Sequence, residues 1–463
     1  MGTGVTLSSE MKKAIITFLF AAASIIVVDA QVMPEGDHQE TSAPTEEAGP
    51  KTKAGKWFKE ALGHLTVGGY GEVAFSQNFY SDNMYRYSNA DAHKHERHGR
   101  VDIPHAVIFL GFDFGKGWSM QTEVEFEHTG TGSSVEREFE EAGEWEKEIE
   151  KGGEVALEQF WIQKSIFPEL NIKVGQIVVP VGALNNAHEP LNYFTVYRPE
   201  GEYTIMPSTW HDTGISIWGD IGKKRKWMRY EVLLIPSLDG FMFDRDHFVK
   251  YGSYSPYEFR VSNKYAVAAR LDFKPVDGLR LSASGYYGQA MGNTYPNEEF
   301  ADKYKVPGHT VIGAFDFAYK SPKGNIIARG NADYGHLSDA WTISYLKRNR
   351  AANNAPYKKS TVGKGAMAFG AEFGGNVLYS KKDPEQKLYI FGRYEYYNSY
   401  IPAANQNAAP WTGRHRIAFG LNYVPLPYIA VKAEYSHRFL KSEYNNEPSI
   451  SFGIVYMAFF NRK

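Results

Sequence analysis

Between residues 65 and 460 the chain is built from segments of about ten residues in which apolar and polar side chains alternate with a period of two. Residues 118–128 show it most plainly. Trp118, Met120, Thr122, Val124 and Phe126 occupy one face, and Ser119, Gln121, Glu123, Glu125 and Glu127 the other. Residues 265–273 set Tyr265, Val267, Ala269, Leu271 and Phe273 against Arg270 and Asp272, and residues 311–320 set Val311, Gly313, Phe315, Phe317 and Tyr319 against Asp316. Three carboxylates in one register do not fit a soluble core, where each buried charge needs a partner. A strand between lipid and water accommodates both faces.

About sixteen such segments can be read, each near the length that a tilted strand needs to cross the hydrocarbon layer. They begin near residues 65, 102, 118, 155, 172, 213, 228, 264, 279, 310, 325, 366, 387, 414, 428 and 449. Their connections alternate in length. Those at 115–117, 167–171, 219–226, 274–278, 321–324, 380–386 and 425–427 are short and rich in Gly, Pro, Lys and Asp, as tight hairpins require. Those at 76–100, 129–153, 180–212 and 337–365 are long. The pattern predicts an all-β fold: a closed antiparallel transmembrane β-barrel with short periplasmic turns and long extracellular loops, in the bacterial outer membrane. Aromatic residues agree, since Phe126, Tyr265, Tyr287 and Tyr396 fall at the outer rim and Phe114, Trp118, Phe273, Tyr319 and Tyr423 at the inner one. A large soluble β-sandwich or propeller would leave the loop asymmetry without a cause.

Composition changes this picture little. The chain has 31 Tyr, 29 Phe and 44 Gly, suited to strands and rims, while a net charge of -2 gives no sign of nucleic acid as a partner. No apolar run reaches the roughly 18 residues of a spanning helix. The absence of cysteine fits an oxidising compartment without disulfides.

The first residues supply an address. Lys12 and Lys13 precede an apolar stretch over 14–28, and Val28-Asp29-Ala30 before Gln31 offers small residues for cleavage. Residues 1–30 are therefore read as a signal peptide, with Met11 the natural start. Residues 31–62, acidic and containing Pro34, Pro44 and Pro50, are read as a periplasmic tether that ends in a short helix over 57–62, and residues 63–463 as the barrel.

Three stretches carry a family resemblance. Val174-Gly175-Gln176-Ile177-Val178-Val179-Pro180-Val181-Gly182, then His188-Glu189-Pro190, then Met206-Pro207-Ser208-Thr209-Trp210-His211-Asp212-Thr213-Gly214 resemble the core signature of phosphate-selective porin O/P-like outer-membrane proteins. Glu123-Val124-Glu125-Phe126-Glu127-His128 and the stretch from Tyr230-Glu231-Val232 to Asp239-Gly240 are similar to further parts of that family. The resemblance implies a sixteen-stranded porin, often a homotrimer, whose third loop folds inward to narrow the pore. Here that loop is 180–212, and Asn185, His188, Glu189 and Arg198 are its candidate solute contacts. One departure is the end of the chain, where Phe459 and Phe460 are followed by Asn461-Arg462-Lys463 rather than closing on an aromatic.

Family members that select phosphate line the pore with arginines and lysines, and a ring of fixed cations favours anions. The inward positions here read differently. Glu123, Glu125, Glu127 and Glu158 form an acidic wall, and Arg270, Arg280, Arg329 and Arg393 belong to a charge-balanced one. These eight are the candidate pore-lining residues, and they predict weak cation preference rather than phosphate specificity. His93, His95 and His98 are a weak metal candidate, because Lys94, Arg97 and Arg100 flank them and oppose a cation. Residues 136–154 are dense in Glu and read as a solvated excursion at the lipopolysaccharide layer.

The sequence thus predicts passive diffusion of small hydrophilic solutes or ions through a porin, with bilayer lipid and lipopolysaccharide as partners and no cofactor. The alternatives are a surface-binding protein built on a closed barrel, or an outer-membrane hydrolase. No catalytic residue is assigned, because no nucleophile motif joined to an oriented His stands out. Residues 31–65 are also too short for the globular plug of a TonB-dependent receptor.

Overall fold

The computed structural model describes residues 63–128, 154–222, 225–255, 259–293, 306–349, 359–378, 385–441 and 443–460, all within the unit Phe58–Lys463. The expected leader, the tether, nearly all of the acidic run 136–154, most of the turn at 380–386 and residues 461–463 lie outside the described residues.

The strands are β1 (Leu65–Asn78), β2 (His98–Asp102), β3 (Ala106–Gly115), β4 (Trp118–Glu127), β5 (Glu154–Phe167) and β6 (Leu170–Val178). They continue with β7 (His211–Ile221), β8 (Met228–Pro236), β9 (Tyr265–Phe273), β10 (Leu279–Gln289), β11 (His309–Lys320) and β12 (Ile326–Leu337). The last five are β13 (Gly365–Asn376), β14 (Lys387–Ile401), β15 (Gly413–Leu426), β16 (Ile429–Phe439) and β17 (Glu447–Phe460). All pairings are antiparallel, and β1 closes the ring against β17, from Val67↔Phe460 to Asn78↔Ser449. This pairing closes the sheet into a barrel.

β2 and β3 both pair with β1 and are two halves of one stave, so the seventeen strands make sixteen staves. The sequence predicted an unbroken segment from residue 102. It is interrupted because Pro104 has no N–H for the ladder. Register runs from Gly71↔Ala106 to Ala74↔Asp102, so Glu72 and Val73 face three residues of the partner in a bulge. The Glu72 N–H donates to the His105 carbonyl at 3.0 Å and holds the halves in line. At the opposite end of this stave the β3–β4 turn puts Gly115, Lys116 and Gly117 at φ of 79°, 53° and 78°. A Cβ on Gly117 would lie 2.4 Å from the Ser165 carbonyl oxygen, so the turn needs glycine there on both counts.

Outward positions are apolar around the ring. Val267, Leu271, Phe315, Phe373, Phe419 and Ile454 are 44 to 58 % exposed, while their inward neighbours Ala266, Ala268 and Arg270 are at most 5 % exposed. A girdle of that extent belongs against hydrocarbon. The chain is an outer-membrane β-barrel.

The interior departs from a uniformly wet lumen. Ile177, Leu233, Ile235, Ala266, Ala268 and Ile312 on the inward faces of β6, β8, β9 and β11 join Val179, Val181, Trp210, Phe241, Phe243 and Phe248 of the loops and Ile343 and Leu346 of the helix Ala340–Asn349 in one apolar core. One side of the barrel is therefore filled. The run Val232-Leu233-Leu234-Ile235 carries the signal in sequence, since it is apolar on both faces.

Candidate functional site

The segment between β6 and β7 is bonded to residues of several strands. Its base is stapled by Asn185, whose side chain donates to the Val181 and Pro207 carbonyls at 2.9 and 3.3 Å and accepts from the Trp210 N–H at 2.8 Å. Val179, Val181, Ile205, Met206 and Trp210 bury both ends of the segment in the apolar core. Glu202, in the short helix Glu200–Ile205, accepts the Leu184 N–H at 2.9 Å and ties one end to the other.

The middle of the segment meets inward-facing side chains of the later strands. Lys432 of β16 donates to the carbonyls of Pro190, Tyr193 and Thr195 at 2.6, 2.9 and 2.9 Å. Asn422 donates to the Phe194 carbonyl at 3.0 Å, while Glu434 and Glu395 accept the N–H groups of Val196 and Gly201 at 2.7 and 3.2 Å. The Phe194 ring occupies space that a Cβ on Gly374 would need, 2.2 Å from its Cζ, and stacks on Phe391 at 5.5 Å. Glu200 binds Arg438 at 2.6 and 2.7 Å and Arg416 at 3.2 Å. Burial opposes its charge, yet the two guanidiniums hold the carboxyl below the ordinary carboxylate range.

Three cavities adjoin the segment. One of about 390 Å³ opens toward the long-loop end and is lined by Tyr197, Arg198 and Glu200 of the segment with Arg86, Arg100 and Arg414 around it. A second, of about 260 Å³, lies against Tyr193, Pro199 and Glu202, and a third, of about 350 Å³, against Leu191, Tyr193 and Phe194 near the short-turn end. Six arginines and six carboxylates line the first. Its charge is balanced.

The predicted residues divide among these places. Glu123, Glu125 and Glu158 point inward but are 0 to 4 % exposed, covered by the segment, whereas Glu127 faces the 390 Å³ cavity. Arg270 binds Asp272 and Asp316 at 2.8 and 2.9 Å and donates to the Gly182 carbonyl at 2.9 Å. Arg280 lies 3.1 Å from Asp316; Arg329 pairs with Glu372, and Arg393 with Glu372 and Glu395 at 3.3 and 3.1 Å. Arg280, Arg329 and Arg393 all line the 260 Å³ cavity. Of the loop candidates, Asn185 and His188 are buried, Glu189 accepts from Asn192 at 2.7 Å, and Arg198 lies 3.8 Å from Glu125. His93, His95 and His98 are not brought together as ligands. His93 pairs with Glu96 at 3.0 Å, and His98 meets the Tyr80 carbonyl at 3.0 Å.

The sequence did not single out Glu200, Arg414, Arg438 or Glu447. Arg438 bridges Glu200 and Glu447, the latter at 2.8 Å, and Arg86 reaches Glu447 at 2.7 Å. For Arg414, Arg438 and Glu447 the signal was available as charges at inward positions of β15, β16 and β17; Glu200, in the loop helix, carried none.

No family model matches the chain. It is 26 % identical to an uncharacterized protein of Aquifex aeolicus over 416 residues, covering 86 % of this chain and 81 % of the other. Among solved structures it is similar to Salmonella typhi OmpF in complex with daunomycin (12 % identity, TM-score 0.49), covering 86 % of this chain and 98 % of that one. It is also similar to an anion-selective porin from Comamonas acidovorans (10 %, TM-score 0.48, 85 % and 99 % covered) and to the outer membrane channel DcaP of Acinetobacter baumannii (11 %, TM-score 0.48, 89 % and 100 % covered). At these values the architecture rests on the chain's own strands.

Proposed function

We propose that the protein is a porin for passive diffusion of small hydrophilic solutes or ions, with its path narrowed by the segment between β6 and β7. The observation that carries this is the position of that segment, bonded to the far wall through Lys432 and flanked by polar cavities toward both ends of the barrel. Solute passes between fixed, paired charges, which wet the path without a strong field of either sign. Balanced charge in the outer cavity supports weak selectivity. The reading makes the protein a channel rather than an enzyme, and homotrimeric assembly accompanies it through the family resemblance.

Conductance in planar bilayers tests it. The intact protein should conduct, and removal of residues 185–205 should raise single-channel conductance severalfold while the barrel stays folded. Unchanged conductance in the deletion would place the constriction elsewhere, and absence of conductance in both would favour a surface-binding role.

A further inference from the structure

Where β4, β5 and the crossing segment meet, acids outnumber the bases that face them. Glu72, Glu123, Glu125 and Glu158 are at most 4 % exposed. Arg198 approaches Glu125 at 3.8 Å, and His105 lies 2.7 Å from the same carboxylate and 3.7 Å from Glu72. Among the described residues no cation lies within 4.0 Å of Glu123, and His188 is the one that does so for Glu158. Glu158 Oε2 accepts from Tyr70 at 3.3 Å, and Glu123 accepts from Gln159, but Glu158 Oε1, with the Thr209 hydroxyl nearby, has no partner in good hydrogen-bond geometry among the described residues. Carboxylates withdrawn from water need a proton or a cation.

His188 is oriented to supply a lone pair. Its Nδ1 sits 3.1 Å from the Asn185 carbonyl, which can only accept, so Nδ1 carries a hydrogen and Nε2 is the ring nitrogen left to offer a lone pair to a metal. Nε2 is buried, takes no hydrogen bond and lies 3.9 Å from Glu158 Oε1. One ligand atom from each of Glu123, Glu158 and His188 falls within 4.8 Å of the others.

We propose that Glu123, Glu158 and His188 bind a divalent transition-metal ion of the zinc, cobalt or nickel class, which ties the segment to the wall between β4 and β5. Bonds of about 2.0–2.2 Å at tetrahedral angles place ligand atoms about 3.4 Å apart, so the side chains must rotate inward by about an ångström to close the triangle. An imidazole with two carboxylates suits these metals, whereas calcium and magnesium prefer oxygen alone. The Asn185 carbonyl on Nδ1–H is the outer contact that fixes a ligating histidine. The inference stands on the docked position of the segment and not on whether the barrel conducts.

The test uses the full chain in detergent, stripped with a chelator and titrated with Co²⁺. One Co²⁺ per chain should bind, give visible d–d absorption, and be displaced by equimolar Zn²⁺. His188→Ala and the milder Glu123→Gln should each weaken Co²⁺ binding by about 10-fold or more, and His93→Ala should leave it unchanged. The Glu123 variant keeps the test valid if His188→Ala unfolds, with circular dichroism confirming the barrel. Absence of binding at millimolar Co²⁺, or unaltered affinity in both variants, would overturn the site and leave a His188–Glu158 ion pair in its place. Conductance is measured separately, so failure of the porin reading does not alter this result.

Discussion

Replacing Lys432 by methionine removes three donors from the docked segment while keeping a side chain of similar length. Lys432 is 1 % exposed, and its ammonium donates to three carbonyls at 2.6 to 2.9 Å. Hydrogen bonds from a charged donor are worth about 1.5–3 kcal/mol each, which sets a ceiling of about 4.5–9 kcal/mol. Two effects lower it. Methionine avoids the desolvation of a buried ammonium, several kcal/mol in itself, and water from the adjoining 350 Å³ cavity can reach the freed carbonyls. The expected net loosening is about 2–4 kcal/mol, or about 30- to 700-fold in the open fraction of the segment. Amide hydrogen exchange reads it directly, because the N–H groups of Phe194 and Val196 bond to Glu372 and Glu434 on the same wall. Exchange at these two amides should accelerate by that factor while β9 and β10 keep their protection. Rates within about 3-fold of the parent protein would refute the docking energetics.

Two further outcomes are expected. Gly374→Val places a side chain where the Phe194 ring lies, so the ring must leave its niche and single-channel current should become larger or noisier with the barrel intact; identical current traces would show that this contact does not hold the loop. Glu127→Gln should move the reversal potential in a KCl gradient toward anions, with the shift fading as salt is raised because the Debye length is about 10 Å at 0.1 M; Glu123→Gln, beneath the segment, should leave it nearly still, and equal shifts would mean that both residues face the water path.

Strand positions were legible because lipid and water impose a period of two on each stave, and Trp118, Val124 and Glu125 report their faces without knowledge of any neighbour. The break in the second stave was less legible. Pro104 was visible, but whether a proline ends a strand or is absorbed by a bulge depends on the partner's register. The role of Lys432 was not legible at all. Its three acceptors lie 237 to 242 residues away in the chain, and alternation says that the side chain points inward without saying what it meets there. The same holds for Glu123 and Glu158, which read as wall charges in contact with water and prove to be covered by the loop.

The two ends of that loop and its middle are held by different physics. Val179, Val181, Ile205, Met206 and Trp210 are at most 1 % exposed in an apolar core, so releasing them exposes hydrophobic surface, at about 25 cal/mol for each Å². The middle is held by hydrogen bonds and ion pairs at the edge of polar cavities, where water can replace each partner in turn. Opening of the middle therefore costs less than release of the ends, and faster exchange in Lys432→Met should stay confined to residues 190–196. If protection were lost together at Trp210 and Val196, the loop would move as one body and the apolar core would not be its anchor.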